Sequence, residues 1–251
     1  MNLIIPEIIR EARIDRLDID WNEENFNRYI HLLVTNCYLE EQISKISYKG
    51  CISLAASLSE WNYWYLNSDK RSEIFVPVIN ALWASVIDPV YLKSFYFHYA
   101  PEIENSKTPI EVNLAILSFL LEQYTDKKYM PSFTTKCLIN LIVFTQNLIP
   151  HKRIFNKWLS ESIYKLLETF PLQYYADITL KGGDMFYDSY EEKSIPRDFF
   201  FETSFIYNNT ESIKLLNQFL GSLNWKTNQF LSSPNEVLQK GFKGNVPYFI
   251  Q

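Results

Sequence analysis

Apolar side chains recur every three to four residues through most of the first 170 positions, and residues suited to helix caps and helix ends stand between the runs. The chain therefore predicts a succession of helices. Asn22, followed by Glu23 and Glu24 at the positive end of a helix dipole, is placed to cap a helix whose inner face is Phe26, Tyr29, Ile30, Leu33 and Cys37. After Gly50, the segment Cys51–Leu66 has small residues first and aromatic residues later, apolar on nearly every side, which predicts a helix at the centre of a bundle. Asp88-Pro89 and Thr108-Pro109-Ile110-Glu111 each set a cap before a proline at the first helical position, the second with the spacing of a capping box. Both predict helix starts, the second opening Val112–Tyr124. Ser132 is expected to begin a helix running to about Leu148, with Pro150 beyond its end. Ile154–Phe170 reads as an amphipathic helix with Phe155, Trp158, Leu159, Ile163, Leu166 and Leu167 inward, and Pro171 stops it.

The pattern changes near Leu172. From Asp177 to Glu202 there is no clear 3.6-residue period, but Gly182-Gly183, Pro196 and an aromatic cluster of Phe186, Tyr187, Tyr190, Phe199, Phe200 and Phe201. This predicts a long ordered excursion with some extended backbone over 172–209. Helix returns over Thr210–Leu223, Ser233-Pro234-Asn235-Glu236 caps a short helix ended by Gly241, and the tail Gly244–Gln251 is expected to be extended. The expected fold is all-α, a multi-helix bundle forming one helical domain over 1–251. Its parts are the main bundle (1–171), the excursion (172–209) and the C-terminal helices and tail (210–251). Successive helix pairs of about forty residues would suit a HEAT-like stack, although no fixed period holds.

Composition agrees with helices and narrows the partners. Only 6 of 251 residues are glycine, below the ordinary ~7%, and turn-dense β-sandwiches and glycine-loop nucleotide folds need more. The net charge of −5 encodes no general attraction to nucleic acid or anionic lipid, so neither nucleic acid nor membrane is an expected partner. Seven acids against three bases between Asp177 and Glu202 place −4 of that charge in the excursion. Cys37, Cys51 and Cys137 are odd in number, widely spaced and set in apolar stretches, and are expected to be reduced core residues. With acids and arginines directly after Met1–Pro6 the start is not a secretory signal, and no apolar run approaches the ~20 residues of a membrane span. A cytoplasmic location is expected.

No motif names a reaction. His31, His98 and His151 are isolated from one another, and the nucleophile elbow, P-loop and dinucleotide fingerprint are all absent. No catalytic, cofactor-binding or metal-binding residue is predicted. The carboxylate pairs Glu40-Glu41, Asp184 with Asp188, and Glu191-Glu192 are the residue types that ligate a cation or act as acid and base, but exposed charge runs are more often solvated surface. Glu60 is more informative. It stands among Leu58, Trp61, Tyr63 and Trp64, and a buried carboxylate must be paired, so it is expected to be a structural acid bonded to a Lys or Arg of a neighbouring helix. Trp61 and Trp64 are read as core. In the excursion, acids interleaved with aromatic residues suit the binding of a basic protein surface. The partner-binding candidates are Asp184, Tyr187, Asp188, Tyr190, Glu191 and Glu192. The alternative is a surface loop whose phenylalanines return to the core, as Phe199–Phe201 are expected to do in either case.

Two local patterns, Ala55-Ala56-Ser57-Leu58-Ser59-Glu60-Trp61-Asn62-Tyr63-Trp64 and Ile195-Pro196-Arg197-Asp198-Phe199-Phe200, resemble those of helical immunity proteins encoded beside bacterial type VI and other polymorphic toxins. The resemblance covers about sixteen positions. Where it would place an arginine soon after the second tryptophan, this chain has Tyr65-Leu66-Asn67, which leaves the family's Glu–Arg pairing without its arginine there. The resemblance implies an all-α domain without catalysis of its own that binds and blocks a cognate protein toxin. An enzyme with a dispersed carboxylate site including Glu60, and a HEAT-like protein-binding scaffold, are the alternatives. A cleft exposing Glu60 beside a second carboxylate would favour the enzyme; Glu60 buried against an Arg or Lys would count against it.

Overall fold

A computed structural model describes residues 3–12, 36–66, 72–93, 108–128, 130–149, 152–173, 179–181 and 184–250. The chain is all-α. Among the described residues the helices are α1 (Glu7–Glu11), α2 (Cys37–Ile43), α3 (Tyr48–Tyr65), α4 (Ser72–Ile87), α5 (Pro109–Thr125), α6 (Pro131–Leu148), α7 (Lys152–Thr169), α8 (Asp198–Phe201), α9 (Asn209–Ser222) and α10 (Pro234–Gln239). One antiparallel hairpin joins β1 (Thr179–Lys181) to β2 (Asp184–Phe186), with Leu180 opposite Met185. No helix among the described residues is long and apolar enough to cross a membrane.

The segment with apolar groups on every side is the centre of the molecule. Of the 18 residues of α3, 16 are buried, and α4, α5 and α6 all pack on it. Most of its buried polar side chains find partners inside, although Trp61 Nε1 and Asn62 Oδ1 have none. The Ser53 and Ser57 hydroxyls donate to the carbonyls of Gly50 and Leu54, both at 2.8 Å, and Ser59 donates to Ala55 at 2.9 Å. The Asn62 amide donates to Asn113 Oδ1 of α5 at 2.7 Å, and Asn113 in turn donates to Ser59. In the first turn, a Cβ on Gly50 would lie 2.5 Å from Ile46 Cγ2, so only glycine fits there. A bundle wrapped about one helix differs from a HEAT-like stack, in which each pair meets only its neighbours. Buried side chains from Ile9 to Val237 form one contiguous core.

Against that centre α7 lays Phe155 and Trp158, whose rings stand 5.2 Å from the Trp61 ring. Among its described residues the excursion is partly extended, as its lack of helical period implies. It runs from the hairpin through a 3-10 turn at Ser189–Glu191 to α8. Phe199, Phe200 and Phe201 do return to the core; Trp158 Nε1 donates to the Phe200 carbonyl at 2.8 Å, and Phe199 packs on Phe170. Thr108 caps α5 through the amide of Glu111, and Ser233 with Glu236 forms a full capping box on α10. Both starts are where the sequence places them.

Several expectations are corrected. Asp88 accepts from Val90 but caps only a three-residue 3-10 turn, because the chain beyond it straightens to bridge Leu92 with Leu231. Helix α6 begins at Pro131, not at a Ser132 cap; proline already fits the first position, and Met130 before it has no capping oxygen. Cys37 is exposed, while Cys51 and Cys137 are buried thiols. The tail is not extended. Gly241 at φ +82° and Tyr248 at φ +63° turn it back on the body, where the Tyr248 amide donates to the Tyr91 hydroxyl and Asn217 exchanges two hydrogen bonds with Ile250. The helix expected after Asn22, its acids, and His31, His98 and His151 lie outside the described residues.

Candidate functional site

Glu60 is fully buried, and the structure supplies its partner from the excursion rather than from a long neighbouring helix. Arg197, in the turn before α8, approaches side-on: Nε lies 2.8 and 3.0 Å from the two carboxylate oxygens and Nη2 lies 2.7 Å from Oε2. Trp83 Nε1 of α4 donates to Oε1 at 2.6 Å. Arg197 Nη2 also donates to the Ile4 carbonyl at 2.8 Å, and the guanidinium lies 5.0 Å from the Phe201 ring centre. Planar, bidentate recognition of this kind uses the fork that only arginine has. Both oxygens of Glu60 are thereby engaged. Nothing of the acid is left to face a cleft.

The second buried charge cluster closes the start of α3. The first amides of a helix lack intrahelical acceptors. Here Ser47 Oγ accepts from Gly50, while the carboxylate of Glu192 accepts from Tyr48 at 2.9 Å and from Lys49 at 2.6 Å. Tyr187 donates its hydroxyl to the same carboxylate at 2.8 Å. Burial holds the Glu192 carboxyl above its ordinary range despite the amides that favour its anion. Lys49, only 2% exposed, turns its ammonium to the Ile87 carbonyl at 2.8 Å, the Glu192 carbonyl at 3.0 Å and Ser194 Oγ at 3.3 Å. The excursion is thus clipped to the central helix by two side chains. Burial pushes Lys49 down to about 8, against the pull of Asp88 and Glu192.

That displacement has a sign in stability. Below about pH 8 folded and unfolded chains both hold the proton and the burial penalty is present in full. From there to the ordinary lysine value of about 10.4 the unfolded chain binds more protons, so the contribution of Lys49 becomes more favourable as pH rises. The urea midpoint of the unaltered chain is therefore expected to rise relative to that of Lys49→Met between about pH 7 and 9.5. A flat or falling difference would contradict the buried ammonium.

Beside the clip lies a cleft of about 570 Å³. Asp88, Tyr190 and Glu191 line it together with the folded-back tail at Phe242, Lys243 and Phe249. Asp188 Oδ1 caps the 3-10 turn through the Tyr190 amide, and Oδ2 receives Lys127 at 2.9 Å and Lys243, which lines the cleft, at 3.3 Å. Burial would raise the Asp188 carboxyl, but the two lysines hold it below the ordinary range. Lys243 Nζ also stands 4.5 Å from the centre of the Tyr190 ring.

The six sequence-predicted partner-binding residues therefore divide. Tyr190 and Glu191 line the cleft, Glu191 being exposed. Asp188 is half exposed and paired with lysines. Tyr187 and Glu192 are committed to the start of α3 and are not free acidic or aromatic surface. Asp184 opens β2 opposite Lys181, so it shares no helical face with Asp188. Sequence reasoning missed Arg197 and Lys49, although Arg197 stands in the second of the two patterns that carry the resemblance. Among the described residues no three metal-ligating side chains converge. Compared with models of known families, with curated proteins and with solved structures, the chain matches none.

Proposed function

We propose that this chain is an immunity protein that binds a cognate bacterial toxin acting in the cytosol and neutralises it by occluding its active site or substrate surface. The observation that carries this reading is the Glu60–Arg197 pair. The two stretches that resemble immunity proteins, 55–64 and 195–200, stand far apart in the chain and meet at this one buried contact. Arg197 supplies from the second stretch the guanidinium that Tyr65-Leu66-Asn67 lacks. The same contact weighs against the enzyme alternative, because a carboxylate with no exposure and both oxygens bonded does not reach a substrate.

The binding face is narrower than the whole acidic run. Tyr190 and Glu191 offer an aromatic anchor and a free charge. Charge of this sign steers a basic partner, so association with the cognate toxin proposed here is expected to slow as salt rises. A Tyr190→Ala, Glu191→Lys double variant, folded like the unaltered chain, is expected to bind about tenfold or more weakly, as the loss of a hot-spot side chain does. Unchanged association in that variant would remove this face from the interface. Absence of any complex between the unaltered chain and the toxin would overturn the reading.

A further inference from the structure

The contact between the tail and the excursion has the form of a binding site already filled. Asp188 Oδ2 and the face of Tyr190 converge on one cation, Lys243 Nζ, at 3.3 Å and at 4.5 Å from the ring centre. A carboxylate set beside an aromatic face is how proteins hold an ammonium or guanidinium group. Lys243 does not belong to the body that builds this notch. It comes from the tail, two residues after the left-handed turn at Gly241. The ion pair is weakly held: Lys243 is 50% and Asp188 37% exposed, and water competes for half-exposed pairs of this kind. Its departure breaks no other hydrogen bond of Lys243 and leaves Lys127 on the same oxygen. What remains is the ring of Tyr190 beside Asp188, next to a cleft that Asp88, Glu191 and Lys49 also line.

We propose that the Asp188–Tyr190 notch is the docking point for a lysine or arginine side chain of a basic protein partner, and that Lys243 occupies it in the free chain as an internal stand-in that the partner displaces. The proposal rests on the reading of this chain as a toxin-binding protein and names the chemistry that the partner brings. It predicts that removing the tail lysine strengthens binding of a cation at the notch. A tail that merely packed there would gain nothing from its loss.

The test uses the full chain and, as probe, an amidated tetra-arginine peptide, with the citrulline peptide of the same length as the neutral control. Titration followed by nuclear magnetic resonance is expected to move the amides of 188–191 and 241–244. Lys243→Ala is expected to bind the arginine peptide about two- to fivefold more tightly than the unaltered chain, the range set by removing one exposed ion pair. Asp188→Asn, which keeps the cap on Tyr190 but not the charge, and Tyr190→Leu are each expected to weaken binding. Equal affinity in the unaltered chain and Lys243→Ala, or equal affinity for the citrulline peptide, would overturn the proposal. The toxin reading is judged separately, by complex formation between the unaltered chain and the toxin domain. If the peptide binds as expected and no such complex forms, the notch stands as a cation site and only the identity of the partner is lost.

Discussion

Replacing Arg197 by alanine is expected to destabilise the fold by about 3–5 kcal/mol, because it leaves the carboxylate of Glu60 fully buried and without its countercharge. Much of that cost is the stranded charge rather than the worth of the pair. Arg197→Lys is expected to recover little, since a single ammonium cannot make the side-on contact through Nε and Nη2 to both oxygens. Glu60→Gln removes the charge but keeps an acceptor for Trp83 Nε1, so it is expected to cost less than Arg197→Ala. Replacing both partners, as Glu60→Leu with Arg197→Met, is expected to be closer to neutral than Arg197→Ala alone. Urea unfolding of the four variants checks the order. If Arg197→Ala stays within about 1 kcal/mol of the unaltered chain, the pair does not hold the turn before α8 against the core.

Glu192→Ala is the second large effect. The substitution takes the acceptor from two amides at the start of α3 and from the Tyr187 hydroxyl together, leaving three donors in a mostly buried place. At about 1–3 kcal/mol for a stranded donor, shared because water reaches part of the site, a loss of about 3 kcal/mol or more is expected. The loss also has a location. Hydrogen exchange is expected to quicken at Tyr48 and Lys49 and through 187–194, while the amides of α5 and α6 keep their protection. Uniform loss of protection across the molecule would mean that the excursion folds with the core as one unit and that the clip has no local role.

The helices were legible where local chemistry decides them. Thr108 and Ser233 cap where they stand because a cap is made within four residues. The central place of α3 followed from a segment apolar on all sides, and the need of Glu60 for a cationic partner followed from its neighbours. The identity of that partner was not legible, because Arg197 lies 137 residues away in a turn without helical period. The same distance hid Glu192. In the sequence it is one acid in an acidic run and reads as solvated surface; in the fold it meets the amides of a helix 144 residues earlier. Charge counted along the chain does not tell which acids are free: of the six candidates, Tyr187 and Glu192 are the ones the fold commits to the start of α3. Asp88 shows the converse, a good local cap overridden when the strand-like contact of Leu92 with Leu231 draws the chain straight.

Neutralisation of a toxin is the property that defines the proposed role. The most direct measurement is growth of a bacterial host that expresses the proposed cognate toxin domain, with and without this chain produced in the same cells. Growth restored by the unaltered chain, and lost with Tyr190→Ala, Glu191→Lys at equal protein level, is expected of an immunity protein. Cells that die at the same rate whether or not the folded chain is abundant would contradict it.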